Sequence, residues 1–122
     1  MTRGASEREP LRAAQVRKMG ELMLRFERDG DVHTIRLLGE LDLASAAEVE
    51  EELKALEATD AAAIIIDLAG LTFIDSTGIT LLVAAEVRSR ADSNRLRVLR
   101  GPASVQRVFE ICAVDGFLPF AD

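Results

Sequence analysis

Two hydroxyls stand side by side in Asp75-Ser76-Thr77-Gly78, where an apolar helical stretch begins. A helix N-terminus has backbone N–H groups with no intrahelical acceptor and the positive end of the helix dipole. It therefore favours an anion, and a phosphoserine would be tolerated there. Capping needs one of these residues, since Asp, Ser and Thr are all preferred N-caps. Three such residues in a row exceed that need, and Leu71, Phe73 and Ile74 just upstream are unusually apolar for a connection. The other reactive side chains offer little. His33 is the single histidine and shares strand parity with Ile35 and Leu37, which makes it a partly buried structural residue. Cys112, the single cysteine, is expected as a small buried hydrophobe on a helix stripe. One His and one Cys build no metal-ligand cluster, and neither glycine-rich phosphate-loop pattern is present. No cofactor is expected. Arg95, Arg97 and Arg100 are read as solvated or paired surface charges.

The elements that must hold the hydroxyls follow from hydrophobic period. Leu22, Leu24 and Phe26 alternate with polar residues, Asp29-Gly30-Asp31 is a turn, and His33, Ile35 and Leu37 alternate again, which predicts a hairpin. Gly39-Glu40-Leu41-Asp42 leads into a helix over 44–58, capped by Asp42 or Ser45, with Ala46, Val49, Leu53 and Leu56 on its apolar face. Glu48, Glu50, Glu51 and Glu52 form its solvated side. The run 61–66 reads as a central strand covered on both faces and ending at Asp67. A loop over 68–74 then delivers Asp75, and the second helix runs to about Arg90. Leu96 and Val98 mark a last strand. Val105, Val108, Phe109 and Cys112 mark the stripe of a third helix that starts near Ser104. The expected fold is α/β, a single domain of order ββαβαβα with a mixed, mostly parallel four-stranded sheet and helices packed on it. Residues 1–20 are expected to be a flexible or loosely helical tail, and residues 21–122 the domain.

Composition narrows the partners. The chain has 122 residues, 48% apolar but only 4% aromatic, enough for one aliphatic core and poor for base stacking. Net charge is -6 and unevenly spread: residues 1–20 hold five Lys/Arg against two Glu, and the remainder holds ten against nineteen Asp/Glu. An acidic domain does not seek nucleic-acid phosphates or anionic lipid, and suits a partner that presents basic residues. No apolar run reaches the roughly 18–20 residues needed to span a bilayer. The N-terminus lacks the apolar core of a signal peptide. The expectation is a soluble cytoplasmic protein without membrane insertion.

The stretch Gly39-Glu40-Leu41-Asp42 before a helix, followed by Ile65-Ile66-Asp67-Leu68-Ala69-Gly70-Leu71-Thr72-Phe73-Ile74-Asp75-Ser76-Thr77-Gly78-Ile79, resembles the anti-sigma factor antagonist branch of the STAS domain family over residues 21–120. Thr80 stands where the family often has a second glycine. The resemblance implies a regulatory binding module rather than an enzyme. It implies an anti-sigma factor, often a serine kinase, as partner, with phosphorylation of Ser76 breaking the complex and a serine phosphatase resetting it. The implied contact residues are Asp42, Ile74, Asp75, Ser76, Thr77, Gly78 and Ile79, with Ile74 or Ile79 as the apolar spot. Because STAS domains also occur in membrane transport complexes, an unphosphorylated accessory subunit of such a complex is the alternative. A small nucleotide-binding enzyme is a third reading, disfavoured by the missing base and phosphate loop.

Overall fold

The computed structural model describes residues 15–121. Six strands lie in one sheet in sequence order: β1 (Gln15–Met19), β2 (Leu22–Asp29), β3 (Val32–Leu41), β4 (Ala63–Ile74), β5 (Leu96–Leu99) and β6 (Phe120–Ala121). β1, β2 and β3 pair antiparallel, and β3, β4, β5 and β6 pair parallel. Three helices connect them: α1 (Leu43–Glu57), α2 (Ser76–Ala91) and α3 (Ala103–Ile111). The α/β class and the strand–helix alternation follow the sequence pattern, and the parallel half needs the helices as crossovers.

Alternation sorts the sheet into two faces. Leu22, Leu24, Ile35, Leu37, Ile64, Ile66, Leu96 and Val98 are buried in one continuous core with Val49, Leu53, Leu82, Ala85, Val105 and Phe109 of the helices. The opposite face carries Met23, Arg25, Arg36 and Arg97, all at least partly open to solvent. On that face Arg36 bonds both Glu27 and Asp67. β4 is therefore buried on one face only; Ile65 is half-buried, not sealed as a doubly covered strand would be.

Two strands extend the expected sheet from four to six. The expected tail reaches into it, because Gln15–Met19 forms β1 and pairs fully with Leu22–Phe26. Part of the tail expected to be flexible or loosely helical is thus strand, and its residues 1–14 lie outside the described residues. β1 is an edge strand, and such strands tolerate the charges that hid it. β6 is two residues, and the sheet takes it up through Val98 and Phe120. The expected loop over 68–74 is also strand. β4 continues to Ile74 beside β3, with register shifts near Leu38 and Glu40 that absorb one extra residue at 68–69 and another at Thr72, while Gly70 pairs with Leu38. Gly39 makes this possible: its φ is +109°, and a Cβ there would sit 2.3 Å from the Glu21 carbonyl oxygen. Cys112 is exposed at the C-cap of α3 and leaves the buried stripe to Val105 and Phe109, because the helix ends at Ile111.

At the far end of the helices, Arg88 of α2 holds Glu57 of α1 through two hydrogen bonds of 2.8 and 2.9 Å, and Glu50 through one of 3.0 Å. These carboxylates raise the Arg88 pKa, its bonds to Glu57 contributing most. Arg95 donates to the carbonyls of Glu57, Thr59 and Ala61. The arginines at 95 and 97 are thus tied to backbone, Arg97 donating to Asn94 and Leu96.

His33 is 7% exposed, and its Nε2 has no hydrogen-bond partner among the described residues. Burial lowers its pKa, and the charge of Arg28 lowers it further against the opposing pull of Asp60. The folded value lies below the unfolded value near 6.5. Between the two, the unfolded chain binds the extra proton, so stability is intact above about pH 6.5 and falls as pH drops toward the folded pKa. The melting temperature of the protein should fall between pH 7.5 and 5.5, and His33→Leu should remove part of that slope. An unchanged slope in the variant would show that His33 is not the group responsible.

Candidate functional site

β3 and β4 run parallel and end together, with Leu41 opposite Ile74. One residue on, Asp42 caps α1 and Asp75 caps α2. The Asp75 amide donates to the Leu41 carbonyl at 3.2 Å, which ties the two helix starts to one rung of the sheet. Asp42 accepts the Ala44 amide at 3.0 Å and forms a reciprocal capping box with the fully buried Ser45. Asp75 accepts the Gly78 amide at 3.1 Å, and its own carbonyl takes the Ile79 amide at 3.0 Å. The site thus stands at the carboxyl ends of adjacent parallel strands, a usual place for recognition in α/β sheets.

Because Asp75 is the cap, the hydroxyls are spared that task. Ser76 is the first residue of α2 and is exposed; Thr77 is half-exposed. Neither hydroxyl enters a hydrogen bond among the described residues. The Ser76 and Thr77 amides, in the first helical turn, have no intrahelical acceptor. A dianion on Ser76 Oγ would meet those N–H groups and the helix dipole. Thr80 donates from its hydroxyl to the Ser76 carbonyl at 2.9 Å, which anchors the backbone of the first turn and leaves the Ser76 side chain clear.

The remaining residues singled out in the sequence lie inward. Gly78 is buried, and a Cβ there would come within 2.8 Å of Ile74 Cγ1 and 2.9 Å of Leu41 Cγ. Ile74 and Ile79 are 4% and 6% exposed and belong to the core. They set the helix against the sheet and present almost no apolar surface. The large exposed apolar side chains at this end are instead Leu43, at 76%, and Phe73, at 48%. Sequence reasoning passed over Leu43, because the first residue of a helix shows no period, and noted Phe73 as unusually apolar without assigning it a contact, because it was placed in a loop.

The charge at this end is one-sided. Glu21, Glu40, Asp42 and Asp75 all lie where these segments meet, the Glu21 carbonyl accepting the Glu40 amide, and Lys18, exposed on β1 three residues before Glu21, is the nearest basic residue in their sequence. No group of three or more His, Cys, Asp or Glu among the described residues is arranged to hold a metal ion. No described helix is long and apolar enough to cross a membrane. A cavity of 240 Å³ lies at the opposite end of the sheet, lined by Glu57, Ile64, Ala85, Arg88, Arg95 and Leu96 among others. Both of its arginines are already committed to Glu57, Glu50 and backbone carbonyls, so it offers no evident ligand chemistry.

The division of labour between Asp75 and Ser76 is testable by stability alone. Asp75→Ala should cost about 0.5–2 kcal/mol through the lost cap. Ser76→Ala should stay within about 0.5 kcal/mol, as surface changes do. Gly78→Ala should destabilise by about 1–3 kcal/mol, because crowding against Ile74 and Leu41 outweighs the roughly 1 kcal/mol of helix propensity gained. Urea unfolding of the three variants gives the order directly; a large loss in Ser76→Ala would mean that its hydroxyl does serve the fold.

Comparisons with known proteins agree with this architecture. A family model described as "Mlab, STAS domain" matches residues 24–119. An anti-sigma-B factor antagonist of Listeria monocytogenes is 29% identical over 92 residues, which is 75% of this chain and 81% of that protein. An anti-sigma factor antagonist from Mycobacterium paratuberculosis superposes with a TM-score of 0.72 at 22% identity, covering 81% of this chain and 84% of that one. The Bacillus cell fate determinant SpoIIAA in its phosphorylated form gives 0.58 at 22% identity, covering 90% and 92%. At these identities the solved structures establish the fold, and the family match spans β2 to the end of the core. The chain belongs to the STAS domain family.

Proposed function

We propose that this protein is an anti-sigma factor antagonist whose binding is switched at Ser76. In the unmodified state it binds an anti-sigma factor and so frees a sigma factor. The anti-sigma factor is a serine kinase: the γ-phosphoryl group of ATP passes to Ser76 Oγ, the hydroxyl proton is lost and ADP leaves. A serine phosphatase hydrolyses the ester and resets the switch. The observation that carries this reading is the exposed Ser76 hydroxyl, unbonded at a helix N-terminus that Asp75 already caps. The named Listeria relative supports the antagonist role, and the fold shared with a protein solved in a phosphorylated form supports the modification.

The physics of the switch lies in the complex. A phosphate adds about -1.5 to -2 charge at neutral pH. In the free protein, water screens it from Asp75 and Asp42, and the α2 amides receive it. A docked partner removes that water, so the repulsion rises as the effective dielectric falls. A buried charge left unmatched at an interface costs several kcal/mol. Each 1.4 kcal/mol is tenfold in affinity, so a cost of that size is enough to release the partner.

Incubation with a kinase-type anti-sigma factor and ATP, followed by mass spectrometry, should place one phosphate on Ser76 and none on Ser76→Ala. A phosphate mapped to Thr77 or elsewhere, with Ser76 untouched, would sink the switch as drawn.

A further inference from the structure

Six large apolar side chains are exposed among the described residues: Val16, Met23, Leu43, Phe73, Val87 and Ile111. Two of them bracket the phosphoacceptor. Leu43 and Ser76 hold equivalent places, each the first residue of a helix that follows paired strands β3 and β4. Neighbouring helices pack about 8–10 Å apart, so Leu43 stands beside Ser76 across the sheet's edge. Phe73 precedes Ser76 by three residues, which limits their separation to about 10 Å. Register fixes where Phe73 faces. It pairs with Glu40, whose neighbour Leu41 points into the helix-covered core, so Phe73 and Glu40 share the uncovered face. Leu43 lies on the helix side. The two apolar groups therefore straddle the edge, with Ser76 between them and Glu21, Glu40, Asp42 and Asp75 around them.

We infer that Leu43 and Phe73 are the apolar anchors of the interface, and that they dock into an apolar cleft ringed by Lys and Arg on the anti-sigma factor. This rests on the partner-switching function proposed above and assigns it a surface. The rim is net acidic, four carboxylates against Lys18 alone, which sets the partner's charge, and the continuity with Ser76 sets its place. A leucine and a phenylalanine exposed inside a charged rim, which docking would strip of solvent, have the composition of an interface hot spot. The arrangement also separates two roles. Leu43 and Phe73 supply affinity in the unmodified state, while the hydroxyl between them contributes little and only its phosphate has an effect. The partner must wrap the carboxyl edge of the sheet, because the anchors project on opposite sides of it.

The experiment is titration calorimetry of the full chain against a kinase-type anti-sigma factor, without ATP so that no phosphate is transferred. Leu43→Ser and Phe73→Ser should each weaken binding about tenfold or more. Val87→Ser and Ile111→Ser, on α2 and α3 away from the edge, should bind as the wild type does. All four should melt within a few degrees of it, since each side chain is already in water. Ser76→Asp, titrated alongside, should bind poorly. Wild-type affinity in Leu43→Ser and Phe73→Ser, with binding lost in Ser76→Asp, would overturn the anchors and leave the switch standing. Equal losses in all four serine variants would also overturn them, as a non-specific effect. Wild-type affinity in Ser76→Asp would instead overturn the proposed function. Sedimentation of the protein alone should show a monomer; a dimer that Phe73→Ser dissociates would assign the surface to a second copy and contradict the inference.

Discussion

The parallel rung at Leu41 and Ile74 is the constraint on which the site depends. It ends two long strands at the same height, and the Asp75 amide closes it onto the Leu41 carbonyl. Every feature of the candidate site is measured from that rung. Asp42 and Asp75 are one residue beyond it, Leu43 and Ser76 two. Gly78 is held against both of its side chains so closely that no Cβ fits. The buried isoleucines and the glycine are thus the foundation of the site, and the polar residues above them are its surface.

This arrangement separates folding from signalling. Asp75 satisfies the helix end, so the fold has no use for the adjacent hydroxyl. A side chain that stabilised α2 could not be modified without cost to the helix. Ser76, whose hydroxyl bonds nothing among the described residues, is where the proposed switch places its charge. The opposite end of the molecule is held by other means, with Arg88 joining α1 to α2 and Arg95 gathering the carbonyls at the end of α1. The two ends have separate chemistry: ion pairs clamp one, and at the other Asp42 and Asp75 cap the helix starts.

Much of this was legible in the sequence, for reasons that can be named. The hairpin, the three helices and both caps were visible because period and capping chemistry are local. The position of Ser76 at a helix start was legible for the same reason. The strand over 68–74 was not, because two extra residues, one at 68–69 and the other Thr72, break its alternation, and only pairing with β3 shows that bulges absorb them. β1 was missed because an edge strand needs no apolar period. Cys112 was misplaced by extending a helix stripe one residue past the point where the helix stops. The apolar contribution to the site was assigned to Ile74 and Ile79 on sequence proximity. Whether Ile74 faces core or solvent is decided by the register of two strands about thirty residues apart, which no local pattern encodes.

The central claim is that a phosphate on Ser76 alters a surface and leaves the fold intact. Amide nitrogen–proton correlation spectra of the protein with serine and with phosphoserine at position 76 test it most directly. The account predicts shifts confined to the helix starts and strand ends around Leu41–Ala44 and Thr72–Thr80, with the amides of Ile35, Ile66, Val98 and Phe109 unmoved. Shifts spread through those core positions, or loss of dispersion across the spectrum, would contradict it.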